Sequence, residues 1–280
     1  MTTPRPQPKF ACQTYSWQMS IERYQGKVEH MTTVAAAAGF TGFEPETIML
    51  NEDWTPSSLR RALDDSQLQL AALCLVDEWT FPEETDDERR HADRVIEAVA
   101  TFPDSIINLV HYPGADRSNL RERQDNALSC MRDIALRAAE RGVACSFHPN
   151  SPAGSVFRVE EDYGRMMAEL DPIIGYTPDT GHIVAGGMDP LEIVRQYRDR
   201  VQYIHIKDRF AEGGWAPSGE GIVDIAGVVD YLISTAYDGW ITFEDESPVA
   251  ETEPDLAVMS AGRFVLETLM PRYSSPLEVD

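Results

Sequence analysis

Eight times along this chain an apolar run of strand length ends in a turn and is followed by a segment with apolar residues at helical spacing. The runs are FACQTYSW from Phe10, TGFEPE from Thr41, LQLAALCLV from Leu68, SIINLVHYPG from Ser105, VACSFHPN from Val143, IIGYTPD from Ile173, VQYIHIKD from Val201 and GWITFEDE from Gly239. Between them lie helical patterns such as Val28 to Ala38 before Gly39, Leu120 to Arg141 before Gly142, and Ile225 to Thr235, with glycine as the stop signal. Alternation at roughly one unit per 30 residues implies parallel strands joined by crossover helices. Eight such units predict an α/β fold closed into a (β/α)₈ TIM barrel. An open dinucleotide-binding sheet is disfavoured, because no GxGxxG follows the first strand.

The length of 280 residues suits one such barrel. The expected organisation is a flexible, proline-rich arm over 1–9, the barrel over 10–270 and a tail over 271–280. With 47 acidic against 24 basic residues the net charge is −23, and no basic run offers a surface for phosphate backbones. Nucleic acid is therefore not an expected partner. Cys12, Cys74, Cys130 and Cys145 show no CxxC spacing, so neither disulfides nor a cysteine metal site is expected. The N-terminus has no apolar signal core and no stretch has the length of a membrane span, so a cytoplasmic protein without a membrane partner is the expectation.

Catalytic groups in a parallel barrel gather where strands end at the C-terminal face. Here those ends carry Tyr15 and Trp17, Glu44 and Glu46, His111, His148, Asp179, His205 and Lys207, and Glu244 and Glu246. His148, Asp179, His205 and Glu244 are separated by 31, 26 and 39 residues, about one βα unit each, so four successive strands present one nitrogen or oxygen ligand apiece. Such a mixed set suits a divalent ion, Mn²⁺ first, with Co²⁺, Mg²⁺ or Zn²⁺ as further candidates. His182, one helical turn after Asp179, orients a ligand, binds substrate or serves as a proton-transfer group; the alternative is that it packs its helix. Lys207 shares a strand face with His205 and is either a cation for a substrate oxyanion or the partner of a barrel carboxylate. Glu46, Glu246, Trp17 and His111 are further candidates for substrate contact, and Glu44 is either a supporting carboxylate or a surface loop carboxylate. For His111 a core role is the stronger alternative. Trp17 and Trp215 are candidates for an apolar wall, and Trp240 for core.

DTGHIVAGGMDP, YIHIKD, the GEG at Gly219 to Gly221 with Asp224, and GWITFEDE occur in an order that resembles the sugar phosphate isomerase/epimerase superfamily. These are xylose isomerase-like barrels that include ketose 3-epimerases and inosose dehydratases. The resemblance spans nearly the whole chain, its second half being the specific part. It implies a divalent metal held at positions that fall on His148, Asp179, His205 and Glu244. One departure stands out: relatives of the epimerase type read Glu-Pro at the fifth strand, where this chain reads His148-Pro149. The pair of opposed catalytic glutamates is thus incomplete. Either His148 is the base and three groups hold the metal, or His148 is a ligand and Glu244 or Glu246 is the base.

The expected activity is isomerisation or epimerisation of a sugar or keto-sugar through an enediolate, with His148, Glu244 and His182 as candidate catalytic groups. The alternative is a lyase or dehydratase that expels water or an aglycone from the same intermediate. A reading of another class is a non-catalytic sugar-binding barrel or partner subunit, and self-association is compatible with all three. The absence of a basic cluster around the Ala211 to Gly221 loop favours an unphosphorylated sugar or glycoside.

Overall fold

The computed structural model describes residues 7–273. Eight principal strands form the barrel: β1 (Lys9–Gln13), β2 (Gly42–Glu44), β3 (Ala72–Asp77), β4 (Ile106–His111), β5 (Ala144–Phe147), β6 (Ile174–Tyr176), β7 (Ile204–Ile206) and β8 (Trp240–Phe243). All neighbouring pairs among them are parallel. Two arcs result, one running β2, β1, β8, β7 and the other β3, β4, β5, β6. Single bridges join the arcs: Glu46 to Cys74 between β2 and β3, and Tyr176 to Val201 and Asp179 to His205 between β6 and β7. The barrel is the expected one, and Asp179 and His205 face each other across its second seam.

LQLAALCLV does not form one strand. Gln69–Leu70 pairs with β2, and after Ala71 the chain pairs with β4 instead. Its unbroken apolar character follows from burial on both faces, a condition that holds through the change of partner. The first strand also ends early. Tyr15–Gln18 forms a single helical turn, which breaks the period-two alternation expected through Trp17.

Helices cover the outside, and their starts follow local chemistry. Thr55 and Thr85 each accept from the backbone three residues on, in reciprocal capping boxes with Ser58 and Glu88. Proline opens the helices Pro56–Asp65, Pro190–Gln196 and Pro254–Phe264, where its missing N–H has no cost. The main core lies between strands and helices, while Ala11, Ala71, Ala72, Tyr203 and Trp240 pack as a second cluster. Trp240 is core, as expected. The four cysteines are buried free thiols, and no helix among the described residues is long and apolar enough to cross a membrane.

The expected arm and tail fall partly outside the described residues, at 1–6 and 274–280. The described ends belong to the fold: Gln7 Nε2 donates to the Tyr273 carbonyl at 3.0 Å, and buried Tyr273 donates to Asp230 at 2.7 Å. Arg272 and Tyr273, assigned to the tail by their position, are thus anchored by polar contacts and burial that composition does not reveal.

Candidate functional site

The C-terminal ends of β5 to β8 carry His148, Asp179, His205 and Glu244, all buried, each with a ligand atom within 4.8 Å of the others. Asp179 begins the helix Thr180–Ala185: its Oδ1 accepts from the His182 N–H at 2.7 Å. Capping fixes the carboxylate, and the second oxygen faces inward, 3.4 Å from His148 Nε2 and 4.0 Å from His205 Nδ1. Gly181 is required here, because a Cβ would come within 2.9 Å of the Lys207 stem and of Trp215.

His205 is oriented from behind. Its Nε2 donates to Glu44 Oε2 at 2.6 Å, and Glu44 also accepts from Tyr203 at 3.0 Å and Asn108 at 2.8 Å. Nδ1 stands 2.9 Å from Glu244 Oε2. Burial disfavours the imidazolium, but Glu44 and Glu244 more than reverse this and push His205 up to about 10. The ring therefore carries a proton on Nδ1 that a metal would displace.

Lys207 is buried on the same face. Its ammonium donates to Glu244 Oε1 at 2.6 Å and to Glu246, lies 3.6 Å from Asp179 Oδ2, and reaches His182 Nε2 at 3.2 Å. Burial opposes its charge, yet Asp179, Glu244 and Glu246 hold it well above the usual lysine range. Glu244 and Asp179 lie well below the carboxylate range: burial raises both, and Lys207 outweighs it, joined by His205 at Glu244 and by His182 and His148 at Asp179. His182 is driven down to about 3 by burial and then by Lys207. It is thus a neutral ring that accepts from Lys207 at Nε2 and donates from Nδ1 to Ser151 Oγ at 2.8 Å.

A cavity of about 880 Å³ opens above this cluster and is lined by His148, His182, His205, Glu244, Glu246 and Glu46 among others. Burial raises Glu46 to about 8, partly offset by Gln18 and reinforced by Glu244 and Glu44. Burial likewise lifts Glu246 to about 7, against the pull of Lys207 and with the push of Glu244. Both carboxyl groups can hold a proton near neutrality.

Two expected substrate contacts are placed elsewhere. Trp17, turned inward by the Tyr15–Gln18 helix, is fully buried and donates to Asp255 at 2.7 Å; Tyr15 lines the cavity instead. His111 is buried against Trp79, with ring centroids 6.1 Å apart, while Val110 and Tyr112 line the cavity on either side of it. The alternation of a strand accounts for that. Trp215 lines the cavity as expected, edge-on to His182 at 5.3 Å.

Sequence reasoning placed Tyr15 at a strand end without giving it a role, and missed Asn108, Tyr203 and Ser151 as supports. Asn108 was detectable as the one polar residue inside the apolar run IINLV, and Tyr203 by its place two residues before His205. The GEG segment has a structural role: Asp208 accepts from the N–H groups of Gly219 at 3.0 Å, Gly221 at 2.9 Å and Val223 at 3.1 Å. A Cβ on Gly221 would lie 2.2 Å from that carboxylate. Asp224 caps the helix Ile225–Ser234 through the Gly227 N–H.

The family model for xylose isomerase-like TIM barrels matches residues 33–262. The chain belongs to the xylose isomerase-like TIM barrel family. Among curated members, an inosose dehydratase from Geobacillus kaustophilus is 31% identical over 173 residues, 54% of this chain and 56% of the relative. An inosose dehydratase from Geobacillus thermodenitrificans is 24% identical over 270 residues, 86% of this chain and 89% of the relative. The first alignment, like that to the Lacticaseibacillus casei enzyme with 50% of the relative covered, spans only about half of its partner. Among solved structures, an L-ribulose 3-epimerase superposes with a TM-score of 0.73 at 16% identity, covering 98% of this chain and all of the other. The IOLI protein with a zinc atom gives 0.72 at 15% identity, covering 96% and 100%. At these identities the likeness carries the fold of this family.

Proposed function

We propose that this xylose isomerase-like barrel is a divalent-metal enzyme that removes a proton next to the carbonyl of a keto-sugar or keto-inositol, and that loss of a β-hydroxyl as water follows. The observation that carries this reading is the set of four ligand atoms within 4.8 Å of one another, at the floor of a cavity that also holds titratable carboxyl groups. The donor set fits a metal. It offers imidazoles and carboxylates, His148 Nε2 lies 3.4 Å from Asp179 Oδ2, and His205 is held by a carboxylate behind it. Imidazole donors favour Mn²⁺, Co²⁺ or Zn²⁺ over Mg²⁺, and Mn²⁺ is the ion we propose. When bound, such an ion polarises a carbonyl and stabilises the negative charge that develops on its oxygen.

This chain's own residues supply the rest. His148 stands among the ligands, which leaves Glu246 as the base: it faces the cavity, and its value of about 7 suits proton abstraction at neutral pH. Lys207, against Glu246 and Glu244, keeps the pair anionic enough to accept that proton. Neutral His182, its Nδ1 on Ser151 and its Nε2 accepting from Lys207, holds that ammonium in place beside the two carboxylates. Glu46, protonated below about 8, donates to the departing hydroxyl. Proton and hydroxide leave together as water, and the sugar gains a double bond.

Elimination is favoured over epimerisation by the placement of these groups. Glu246 and Glu46 follow β8 and β2, the two neighbours of β1, on one side of the barrel mouth. Epimerisation needs a second group on the opposite face, and at β5 that position is His148. The inosose dehydratases among the relatives support the same outcome. Metal-loaded protein turned over in D₂O with a keto-inositol should yield dehydrated product and α-deuterium in recovered substrate. Turnover undiminished by exhaustive chelation, with no metal in the protein, would sink the reading.

A further inference from the structure

The cavity is divided between two halves of the barrel. All four proposed ligands lie on or just after β5 to β8, whereas β2, β3 and β4 with the segments that follow them contribute Ile48, Leu50, Trp54, Val76, Val110 and Tyr112. Several polar groups on that second side are already engaged. His91 bonds to Asp77 at 3.1 Å and to Thr47 at 3.0 Å. Arg94 donates to the carbonyls of Glu52 and Trp54, with its guanidinium 4.5 Å over the Trp54 ring. Asn51 and Glu52, both exposed, also line that side; alongside them the surface offered to a ligand is largely apolar. Ile48 and Tyr112 stand open to solvent at 45% and 57% exposure, although both line a cavity.

Size points the same way. About 880 Å³ lies in the upper part of the range, roughly 300–1,000 Å³, that encloses drug-sized molecules. A single sugar ring at the ligand cluster leaves most of it unfilled. A second polar unit, such as another sugar, would lay hydroxyls against Leu50, Val76 and Val110, which cannot pair with them, and desolvating those hydroxyls would be unfavourable. A planar apolar group would cover Ile48, Val76, Val110 and Tyr112 and stack beside Trp54 without that cost.

We propose that the β2 to β4 side of the cavity is a subsite for a planar apolar substituent, so that the sugar taken at the ligand cluster carries an aryl group. The proposal rests on the keto-sugar reading for what occupies the inner end. It concerns binding, and it adds no chemical step.

Calorimetric titration of the manganese-loaded protein with phenyl β-D-glucoside and methyl β-D-glucoside tests it. The phenyl compound should bind at least tenfold more tightly, equivalent to about 1.4 kcal/mol. Ile48→Asp and Tyr112→Ala, both at solvent-open positions that leave the core intact, should each reduce that preference to about twofold or less. Equal affinities, no binding of the phenyl compound, or a preference unmoved by both variants would overturn the subsite. Metal content and deuterium exchange, read on the same samples, separate the two ideas: a protein that holds metal and exchanges but ignores the phenyl group loses only the subsite.

Discussion

His205 donates from Nε2 to Glu44 Oε2 at 2.6 Å, so that Nδ1 is the nitrogen left to face Glu244 and Asp179. Glu44 touches no cavity surface; it acts through the ring that it holds. Glu44→Gln keeps the shape but removes the charge, and should weaken divalent-metal affinity by roughly 10–100-fold with the barrel intact. Competition titration with a chelating dye gives the affinity, and far-ultraviolet circular dichroism gives the fold. An unchanged affinity would mean that His205 needs no support from this carboxylate.

Asp179 caps a helix through Oδ1, and Oδ2 is the oxygen we propose as a metal ligand. Asp179→Ala should abolish metal binding and also remove the cap of Thr180–Ala185, at about 1 kcal/mol of stability. Asp179→Asn keeps a capping oxygen, so it should recover part of the stability while metal stoichiometry remains near zero. Elemental analysis beside thermal unfolding separates the tasks. Full metal occupancy in both variants would contradict the proposed ligand set.

His111 provides a pH-dependent term in stability away from the cavity. Burial first, and Arg123 next, lower it from 6.5 to about 4 in the folded chain. The unfolded chain therefore binds more protons between those values. This contribution is fully present above pH 6.5 and is lost as the pH falls towards 4, by about 3 kcal/mol. In His111→Gln the acid-side slope of unfolding free energy between pH 6.5 and 4 should flatten. Identical slopes in denaturant titrations of both proteins would remove His111 from the account.

Much of this architecture was legible because its causes are local. Strand and helix periods, glycine stops and proline starts are written in neighbouring residues, and the spacing of His148, Asp179, His205 and Glu244 follows from one polar strand end per βα unit. What could not be read depends on contacts between distant segments. The change of pairing partner inside LQLAALCLV is set by the barrel's closure, and Trp17 leaves the cavity because one helical turn after β1 rotates it towards Asp255, 238 residues on. Lys207 was ambiguous for the same reason. Its partnership with Glu244 and Glu246 exists only once β7 and β8 lie side by side.

Glu246 is the residue whose role separates catalysis from mere binding. It lies beside Lys207, outside the proposed ligand set, and burial with Glu244 lifts it to about 7 despite that ammonium. As the proposed base it should be dispensable for metal and essential for proton removal. Glu246→Gln is therefore expected to retain full metal content and near-normal KM, while kcat falls by roughly 10²–10⁴. Solvent-deuterium incorporation into recovered substrate should fall in step with kcat, because both depend on the same abstraction. A variant that loses dehydration yet exchanges deuterium at the wild-type rate would assign Glu246 to a later step, and would return the base to Glu244.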